Sequence, residues 1–383
     1  MESTEFDEVL ATVAALVEEV VVPAEDEIES TDAIPERVRR AAADMGLFGY
    51  ALPEQYGGLG LTMSEEVRLA MVVGRTTPAF RSMFGTNNGI AGQVLVNFGT
   101  DEQKQAYLPG LAAGELVASF ALTEPDAGSD PSGLRTKAVR DGDDYVISGQ
   151  KRYITNAPQA DLLMVFARTG DVSEGTKGIS VFVVDTSLEG VTVGPKDAKM
   201  GQRGAHTAEV SLEGVRVGAE CLVGGVEGEG FAAAMRSLAK GRLHIGATCV
   251  GLAERLTDEA LRHSLDQTQG GTRIADFQLV QGMLADCRTE AMAGRALVVE
   301  AARAYDDGSD RRLGPSAAKL YCSEMVDRVA DRAVQIHGGM GYMQDSKVSR
   351  FYRDARLFRL YEGTSEIQRT IIAKQMIRGA STR

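Results

Sequence analysis

The chain of 383 residues is too long for one compact core, so two or three domains or layers are expected. Its composition, 44% apolar and 25% charged, is typical of a soluble globular protein and excludes extensive disorder beyond the termini. The formal net charge of −13 argues against nucleic acid as the main partner.

Cysteine usage and the N-terminus indicate a cytoplasmic protein. The four cysteines are far apart without CxxC spacing, which favours reduced thiols over disulfides or a zinc site. The four histidines do not pair at metal-ligand spacing, so no metal is expected. The acidic start, MESTEFDEVL, lacks the apolar segment of a secretory signal, and no run of about 18 apolar residues could span a bilayer. The cysteines are Cys221, Cys249, Cys287 and Cys322.

The first third of the chain is predicted to be helical. From Phe6 to Val20, apolar residues recur on one face at the i, i+3, i+4, i+7 spacing, until Pro23 interrupts the pattern. A turn is predicted at LPEQYGGLG (52–60), and helical stretches continue to about residue 115. Residues 1–118 are therefore predicted to form an N-terminal helical domain.

The residue pattern changes near residue 119, from helical spacing to short runs typical of β-strands. LLMVFART (162–169), ISVFVVDT (179–186) and AEVSLEGVRV (208–217) are β-branched or alternating and are bounded by Gly, Asp or Pro. These features predict strands of an antiparallel, barrel-like β domain over residues 119–225.

Helical spacing returns after residue 225. Long stretches at 230–264, 274–304 and 315–336 contain few breakers, which predicts a C-terminal four-helix bundle over residues 226–383. The fold class is therefore α+β, in the order helical, β, helical. Neither GxGxxG after a strand, nor GxxxxGK[ST], nor GxSxG is present, so Rossmann, P-loop and common hydrolase sites are disfavoured.

Three segments resemble the signature stretches of the acyl-CoA dehydrogenase family. They are ALTEPDAGSD (121–130), KRYITNA (151–157) and RLYEGTSEIQR (359–369), and LPEQYGGLG, GTDEQKQAYLPGLAAGE and QIHGGMGYMQD support them in the same order. The resemblance covers essentially the whole chain. It implies a helix/β/helix subunit, usually a homotetramer (a dimer of dimers), that binds FAD without a Rossmann domain. It also implies oxidation of the Cα–Cβ bond of an acyl-CoA thioester to the trans-2-enoyl product, with electrons passing to electron-transferring flavoprotein.

By this resemblance Glu362 is the catalytic base that removes the α proton. Gly363 gives the backbone freedom beside it, and Ser365 to Gln368 looks like a capping box that opens the last helix. Desolvation by ligand is expected to raise the pKa of Glu362. The alternative is a structural glutamate that caps the helix or pairs with Arg359 or Arg369.

Some relatives place the base on a helix, immediately before an arginine. Here that position is Gly241, so the alternative base is absent and the case for Glu362 is stronger. The arginine, Arg242, matches a position near the substrate, as does Gly363. A helix arginine that pairs with a nearby acid is the alternative for Arg242.

Two segments resemble the flavin contacts of the family. Backbone and hydroxyl groups of Leu122 and Thr123 are expected at the pyrimidine edge of the flavin, because a Thr with free N–H groups can satisfy ring N and O atoms. Ser129 is expected to reach the pantetheine of CoA. Tyr153, Ile154 and Thr155 are expected to pack on the flavin, although the family often has Trp where this chain has Tyr153.

The adenosine half of FAD is expected to meet a neighbouring subunit. QIHGG (335–339) resembles the loop that reaches over from that subunit, so Gln335, Gly338 and Gly339 are candidate contacts. A helix C-cap turn is the alternative for these glycines. Thr364 and Glu366 match further FAD contacts.

One segment departs from the pattern. The family commonly has R-x-Q-F-G, whose Arg meets the FAD pyrophosphate, whereas this chain has QTQGG (267–271). Gln267 replaces the Arg and Gly270 the Phe, while Gln269 is kept. A neutral contact to phosphate is weaker than a charge-assisted one, so weaker FAD binding is expected unless Arg273 supplies the missing charge.

Several activities of the same fold remain as alternatives. An acyl-CoA oxidase usually has an extra C-terminal region, and a flavin monooxygenase would lack Glu362. A dehydrogenase acting on a thioester tethered to a carrier protein stays open, and so does a non-catalytic flavoprotein. Acyl chain length and branching cannot be read from the residues.

Overall fold

The computed structural model describes residues 3–381. The helices within this range are α1 (Ser3–Leu16), α2 (Glu25–Thr31), α3 (Glu36–Asp44), α4 (Met63–Val73), α5 (Pro78–Gly85), α6 (Gly92–Phe98), α7 (Asp101–Ala113), α8 (Gly230–Asp266), α9 (Gln278–Asp306), α10 (Leu313–His337), α11 (Lys347–Ala355) and α12 (Ser365–Ser381). The strands are β1 (Ala118–Ala121), β2 (Lys137–Asp141), β3 (Asp144–Thr155), β4 (Leu162–Arg168), β5 (Ile179–Asp185), β6 (Val191–Val193), β7 (Thr207–Gly218), β8 (Thr268–Gln269) and β9 (Thr272–Arg273).

The N-terminal helices form the layer predicted from the apolar periodicity. The predicted face of α1 is buried at Phe6 and Val13. Pro23 does not end the helical path, because a π-helical turn (Val17–Val21) and a 3-10 turn (Val22–Ala24) carry the chain into α2. A proline at the start of a short turn needs no N–H donor, so the changed helix type accommodates it.

The middle domain is one mixed sheet with the strand order β1-β4-β2-β3-β7-β6, in which β5 pairs with β4. Most neighbouring strands are antiparallel, as expected. β4, however, runs parallel to β1, with Ala118 opposite Leu162, and parallel to β2, with Lys137 opposite Arg168. The barrel-like β domain is as expected, but its sheet is mixed, and the antiparallel arrangement that was expected does not hold for these two pairs.

Strands β4 and β5 are buried on both faces. Leu162, Met164 and Phe166 face a core shared with helices α6, α7 and α8, whereas Leu163 and Val165 face the interior of the half-barrel. A strand covered on both sides needs a continuous apolar run, which explains the sequence LLMVFA.

The C-terminal helices α8, α9 and α10 pack against one another, and α4 joins them from the N-terminal layer. The order helical, β, helical is as expected. Between residues 3 and 381, none of the helices combines the length and hydropathy that crossing a bilayer requires. The four cysteines are free thiols, and three of them are buried.

Candidate active site

A cleft of about 250 Å³ opens where the middle sheet meets helices α5 and α8 and the turn before α12. An adjoining space of about 630 Å³ shares Thr123, Tyr153 and Glu362 with it and extends to Leu360 and Thr364. The structure therefore brings together residues from all three layers of the fold. The predicted site residues that line the cleft are Leu122, Thr123, Ser129, Tyr153, Ile154, Thr155, Arg242, Glu362 and Gly363.

Glu362 lies in a turn with an unusual backbone. Its φ is 53° and that of Gly363 is 92°, so two successive residues are left-handed. A non-glycine residue in this region is uncommon and carries strain. The turn is held from outside: Lys319 Nζ donates to the Gly363 carbonyl at 2.6 Å, and Gln368 Nε2 donates to the Glu362 and Gly363 carbonyls at 3.2 and 3.0 Å.

The helix after this turn begins differently from the prediction. Thr364, not Ser365, provides the cap, because its Oγ1 accepts from the Ile367 N–H at 3.3 Å. The Ser365 hydroxyl is buried without a hydrogen-bond partner among the described residues. The capping box at Ser365 to Gln368 was therefore wrong by one residue, and Gln368 instead fixes the turn that holds Glu362.

The Glu362 carboxylate is not engaged in a structural role in residues 3–381. Its Oε2 is buried without a hydrogen-bond partner, and no described cation lies within the 4.0 Å of an ion pair. Arg359 pairs with Asp327 at 3.1 Å. Arg369 pairs with Glu324 at 2.7 Å, so neither arginine is the alternative partner of Glu362.

Burial raises the pKa of Glu362 above its usual value, although the positive charges of Arg81, Arg242 and Lys319 oppose the rise. A carboxyl group shifted in this direction is closer to the working range of a general base. Lys319 is itself buried, and desolvation lowers the pKa of its ammonium group to about 8.

Gly241 provides the space in which the Glu362 carboxylate lies. A Cβ atom built on Gly241 would be 2.1 Å from Glu362 Oε2 and 2.9 Å from its Cδ. The chain thus has no side chain at the position of the alternative base, and the carboxylate of Glu362 occupies that volume.

Arg242 follows on the same helix and lines the cleft. Its side chain is buried, its Nε has no hydrogen-bond partner among residues 3–381, and no described acid lies within 4.0 Å. Burial lowers the pKa of Arg242, and the charge of Glu362 opposes that change. The alternative of a helix arginine paired with an acid is therefore not what the structure contains.

Two of the motif segments are joined by a buried ion pair that the sequence reasoning missed. Lys151 Nζ donates to Glu124 Oε1 at 2.8 Å, and also to the Leu122 and Phe166 carbonyls. Burial favours the neutral carboxyl, but the charge of Lys151 and several hydrogen bonds outweigh it and lower the pKa of Glu124. Glu124 stands in ALTEPDAGSD and Lys151 in KRYITNA, so the opposite charges of the two segments were an available signal for an ion pair.

Tyr153 is presented to the cleft by an irregularity of strand β3. The pairing with β7 is broken between Lys151 and Ile154, and Tyr153 has a φ of 60°. Its ring is 63% exposed, and the Arg152 guanidinium lies 4.1 Å from the ring centroid. A bulge commonly re-aims a side chain in this way.

The residues of the cleft fit a flavin. The adjoining space has apolar walls at Leu357 and Leu360 and an exposed aromatic ring at Tyr153, and the hydroxyls of Thr123 and Thr364 border it. An isoalloxazine is a flat ring system with one polar edge, so apolar walls with hydroxyl groups at one side suit it.

The other predicted cofactor residues lie away from this cleft. Gln267 and Gln269 stand in and beside the exposed β8–β9 hairpin, where Arg273 pairs with Asp276 at 3.2 Å. Gln335, Gly338 and Gly339 are exposed where α10 ends, and Gly338 has a φ of 59°. Glu366 is exposed on the first turn of α12. A single subunit does not bring these residues to the flavin side of the cleft.

The sequence reasoning also missed Arg81. It lies on α5, is 8% exposed and lines the same cleft as Glu362. The signal available was an arginine inside the apolar stretch PAFRSMF, since a charged residue in a buried helix needs a partner.

Comparisons with known proteins agree with this architecture. Models of the N-terminal, middle and C-terminal domains of acyl-CoA dehydrogenase match residues 3–115, 119–215 and 228–377. The chain is 37% identical to the 3-(aryl)acrylate reductase of Clostridium sporogenes, over 98% of this chain and 99% of that protein. It is 39% identical to the caffeyl-CoA reductase-Etf complex subunit CarC of Acetobacterium woodii, over 92% and 93% of the two chains.

Solved structures show the same likeness. The butyryl-CoA dehydrogenase of Megasphaera elsdenii superposes with a TM-score of 0.94 at 30% identity, covering 98% of this chain and 99% of that chain. Sequence and fold thus agree over nearly the full length. The chain belongs to the acyl-CoA dehydrogenase family of oxidoreductases.

Proposed function

We propose that this protein is an FAD-dependent acyl-CoA dehydrogenase in which Glu362 removes the α proton of an acyl-CoA thioester. The observation that carries the proposal is the Glu362 carboxylate, which lies in the cleft with a buried, unpartnered Oε2 and a raised pKa. A buried carboxyl without a partner is costly for folding, and a role in proton transfer accounts for its presence.

The remaining groups of the cleft position the reaction. The flavin supplies the acceptor for the β hydride, which completes oxidation to a trans-2-enoyl-CoA. Lys319 and Gln368 hold the turn so that the Glu362 carboxylate and the backbone N–H groups beside it are fixed before substrate arrives. Donors placed in advance at the thioester oxygen stabilise the negative charge that develops there.

We assign the substrate and cofactor contacts as follows. Arg242 and Gly363 lie beside the acyl thioester, and exposed Ser129 contacts the pantetheine arm at the mouth of the cleft. The flavin contacts are Leu122, Thr123, Tyr153, Ile154 and Thr155. Thr364 is a further FAD contact at the border of the cleft, and Glu366, which is exposed outside the cleft, is another contact of FAD. Contacts from a neighbouring subunit are Gln267 and Gln269, in the segment expected at the FAD pyrophosphate, and Gln335, Gly338 and Gly339 at the adenosine portion.

A homotetramer fits the surface of the C-terminal layer. Large apolar side chains are exposed there, with Leu279 86%, Tyr342 82% and Ile377 66% accessible in the single chain. Subunit contacts would cover such residues and would carry the exposed hairpin and the loop after α10 to the neighbour's FAD. For the domains we propose the limits that the sequence pattern predicts, which are residues 1–118, 119–225 and 226–383.

The proposed redox partner is electron-transferring flavoprotein, which is in keeping with the Etf complex named for the Acetobacterium relative. A second candidate is the reverse direction, reduction of an enoyl thioester, because the names of two relatives include 3-(aryl)acrylate reductase and caffeyl-CoA reductase. A carrier-protein thioester is the third. The free cysteines suit a cytoplasmic location.

The deciding experiment is an anaerobic visible spectrum of the purified flavoprotein with a panel of acyl-CoA thioesters. Bleaching of the flavin band by a saturated thioester, abolished in Glu362→Gln, is the expected result. Bleached (reduced) protein that is reoxidised by an enoyl-CoA but never bleached by a saturated thioester would favour the reductase direction. A flavoprotein that responds to neither would contradict the proposal.

Arg273 is proposed to compensate for Gln267 at the FAD pyrophosphate. Arg273→Ala is expected to lower the FAD content after gel filtration, because the hairpin then offers no cation to the phosphates. Asp276→Asn, which frees Arg273 from its ion pair, is the matched variant and is expected to retain FAD at least as well. Unchanged FAD content in Arg273→Ala would remove this role.

A further inference from the structure

A contact between the middle domain and the C-terminal layer lies just outside the cleft. It joins the β6–β7 loop (residues 194–206) to Asp354, near the end of helix α11. The Asp354 side chain is 1% exposed, and it lines neither the cleft nor the adjoining space. An acid buried in this way is unusual, so its presence at a domain contact requires a physical reason.

Gln202 of the loop is bound to Asp354 at two points. Its backbone N–H donates to Asp354 Oδ1, and its side-chain Nε2 donates to the Asp354 carbonyl at 3.1 Å. Gln202 has a φ of 54°, a left-handed conformation that is uncommon for a residue other than glycine. Such a conformation persists only where the surroundings impose it, and the two hydrogen bonds to Asp354 supply that constraint.

The loop and the helix meet backbone to backbone at Gly201. A Cβ atom on Gly201 would lie 2.7 Å from the carbonyl carbon and oxygen of Arg353 and 2.8 Å from the Asp354 nitrogen. Contacts this short to backbone atoms cannot be relieved by rotating a side chain, so a larger residue would push the loop away from α11. Gly201 therefore sets how closely the loop approaches the helix, while Asp354 sets its conformation.

Gln202 also reaches the residue that precedes the proposed base. Gln202, Tyr361 and Glu362 line the adjoining space together. Burial raises the pKa of the Tyr361 hydroxyl, and a hydrogen bond from the Gln202 side chain is among the contacts that oppose the rise. The amide nitrogen of a glutamine carries two hydrogens, so Nε2 can donate to the Asp354 carbonyl and to the Tyr361 hydroxyl at once. Tyr361 is thereby tied to the middle domain.

The two groups of the proposed reaction stand on different domains. Glu362 belongs to the C-terminal layer, whereas Tyr153, a proposed flavin contact, belongs to the middle domain. The β6–β7 loop leads directly into β7, which pairs with β3 where Thr207 stands opposite Thr155. A displacement of the loop from α11 would therefore change the spacing between the base and the flavin contacts, and the rate of the reaction depends on that spacing.

We propose that Asp354 is a positioning residue for the reaction, which acts through Gln202 to fix the Glu362 turn relative to the flavin contacts of the middle domain. The inference rests on the proposed function, because it concerns the alignment of the proposed base with the flavin. Asp354 itself lies outside the cleft and acts only through the loop. The rival interpretation is that Asp354 only stabilises the fold.

The acceptor oxygen of Asp354 matters more than its charge. Oδ2 is buried without a hydrogen-bond partner, and between residues 3 and 381 no cation lies within 4.0 Å of the carboxyl, since Arg350 and Arg353 pair with other acids. Burial raises the pKa of Asp354 to about 7, so near neutral pH much of it is protonated. Asparagine offers the Gln202 N–H the same acceptor in a similar shape, and alanine offers none.

The first test is stopped-flow bleaching of the flavin in the holoenzyme by the saturated acyl-CoA thioester that bleaches it fastest. Asp354→Ala and Gly201→Ala are expected to lower the rate constant per flavin by about 10- to 100-fold and to change the substrate Kd little, because a misplaced base slows the reaction more than it weakens binding. Asp354→Asn is expected to keep most of the rate. Gly194→Ala is the matched control in the same loop and is expected to keep the wild-type rate, because its Cβ would meet the Glu209 carbonyl at an ordinary 3.5 Å.

The second test does not depend on turnover. Hydrogen–deuterium exchange measured by mass spectrometry reports how firmly the turn at residues 359–365 is held. In Asp354→Ala and Gly201→Ala, amide exchange in this turn is expected to rise by about 10-fold, because its support from the middle domain is lost. Gly194→Ala is expected to exchange like the wild type.

A wild-type rate constant per flavin in Asp354→Ala and Gly201→Ala, even with a lowered Tm, would overturn the inference while the proposed function stands. Exchange that rises only within residues 194–206, and not in the turn, would overturn it as well. If no thioester bleaches the flavin, the proposed function fails, and exchange in the turn still decides whether Asp354 holds it. If Asp354→Ala does not fold, Gly201→Ala decides both tests.

Discussion

Replacing Gly241 with alanine is expected to slow the chemistry without weakening the fold. The new Cβ would lie 2.1 Å from Glu362 Oε2, so the carboxylate must move by more than about 1 Å to restore an ordinary contact. A displacement of that size at a reacting group can lower the rate by about 100-fold. The clash falls on the end of a flexible side chain, and alanine is a better helix former than glycine by roughly 0.5–1 kcal/mol. The Tm is therefore expected to stay level or rise.

The assay is stopped-flow bleaching of the flavin under anaerobic conditions, with thermal unfolding measured in parallel. Gly246→Ala on the same helix is the matched control, because its Cβ would meet Ala318 and Val298 at an ordinary 3.4 Å and would not approach Glu362. A wild-type bleaching rate in Gly241→Ala would refute the idea that the base works from the volume over Gly241. A Tm that is lowered in Gly241→Ala but not in Gly246→Ala would show that the backbone shifts to relieve the clash and that the carboxylate does not move.

Three further outcomes follow from the site. Lys151→Met leaves the buried Glu124 carboxylate without its cation, so the unfolding free energy is expected to fall by about 3–5 kcal/mol. The double variant Glu124→Gln/Lys151→Met is expected to recover part of that loss. A single variant that is as stable as the wild type in an unfolding titration would contradict the prediction. Tyr153→Ala is expected to change the unfolding free energy by less than about 0.5 kcal/mol, because the ring is exposed. The same variant is expected to raise the Kd for FAD about 2- to 10-fold, because the stacking contact is lost. Unchanged FAD affinity would argue against the ring contact. Arg242→Gln removes a positive charge that opposes the raised pKa of Glu362, so this pKa is expected to rise further. The acidic limb of the pH–rate profile is then expected to move to higher pH. An unmoved limb would exclude electrostatic coupling between Arg242 and Glu362.

Most of the fold could be predicted from local patterns. The runs that became β4 and β5 are short, rich in β-formers and bounded by turn residues, and the long stretches that became α8 and α10 carry helical apolar spacing, so the type of each element could be specified. The parallel pairing of β1 with β4 could not be predicted, because it joins strands separated by two others and depends on tertiary packing. The start of α12 was misplaced by one residue, since Thr364 and Ser365 are both good caps and only the turn geometry selects between them.

The residues of the site likewise fall into those that could be predicted from the sequence and those that could not. Glu362, Thr123 and Tyr153 could be expected at one site because each stands in a motif segment that resembles the family, and the structure brings the three together at one cleft. Arg81 and Lys319 stand outside the motif segments: Arg81 lines the cleft from α5, and Lys319 donates to the Gly363 carbonyl from α10. Buried charges in apolar helices were the clue that local reasoning left unused.

The left-handed backbone at Glu362 has a consequence for protein engineering. A φ of 53° costs a glutamate free energy that a glycine would not lose, and the buried, unpartnered Oε2 adds a desolvation cost. Substitutions that remove this side chain should therefore be tolerated or even favoured when thermal tolerance is the only criterion. Directed evolution that selects only for resistance to heating, without requiring turnover in each round, would therefore be expected to favour stable variants that have lost Glu362, the proposed base.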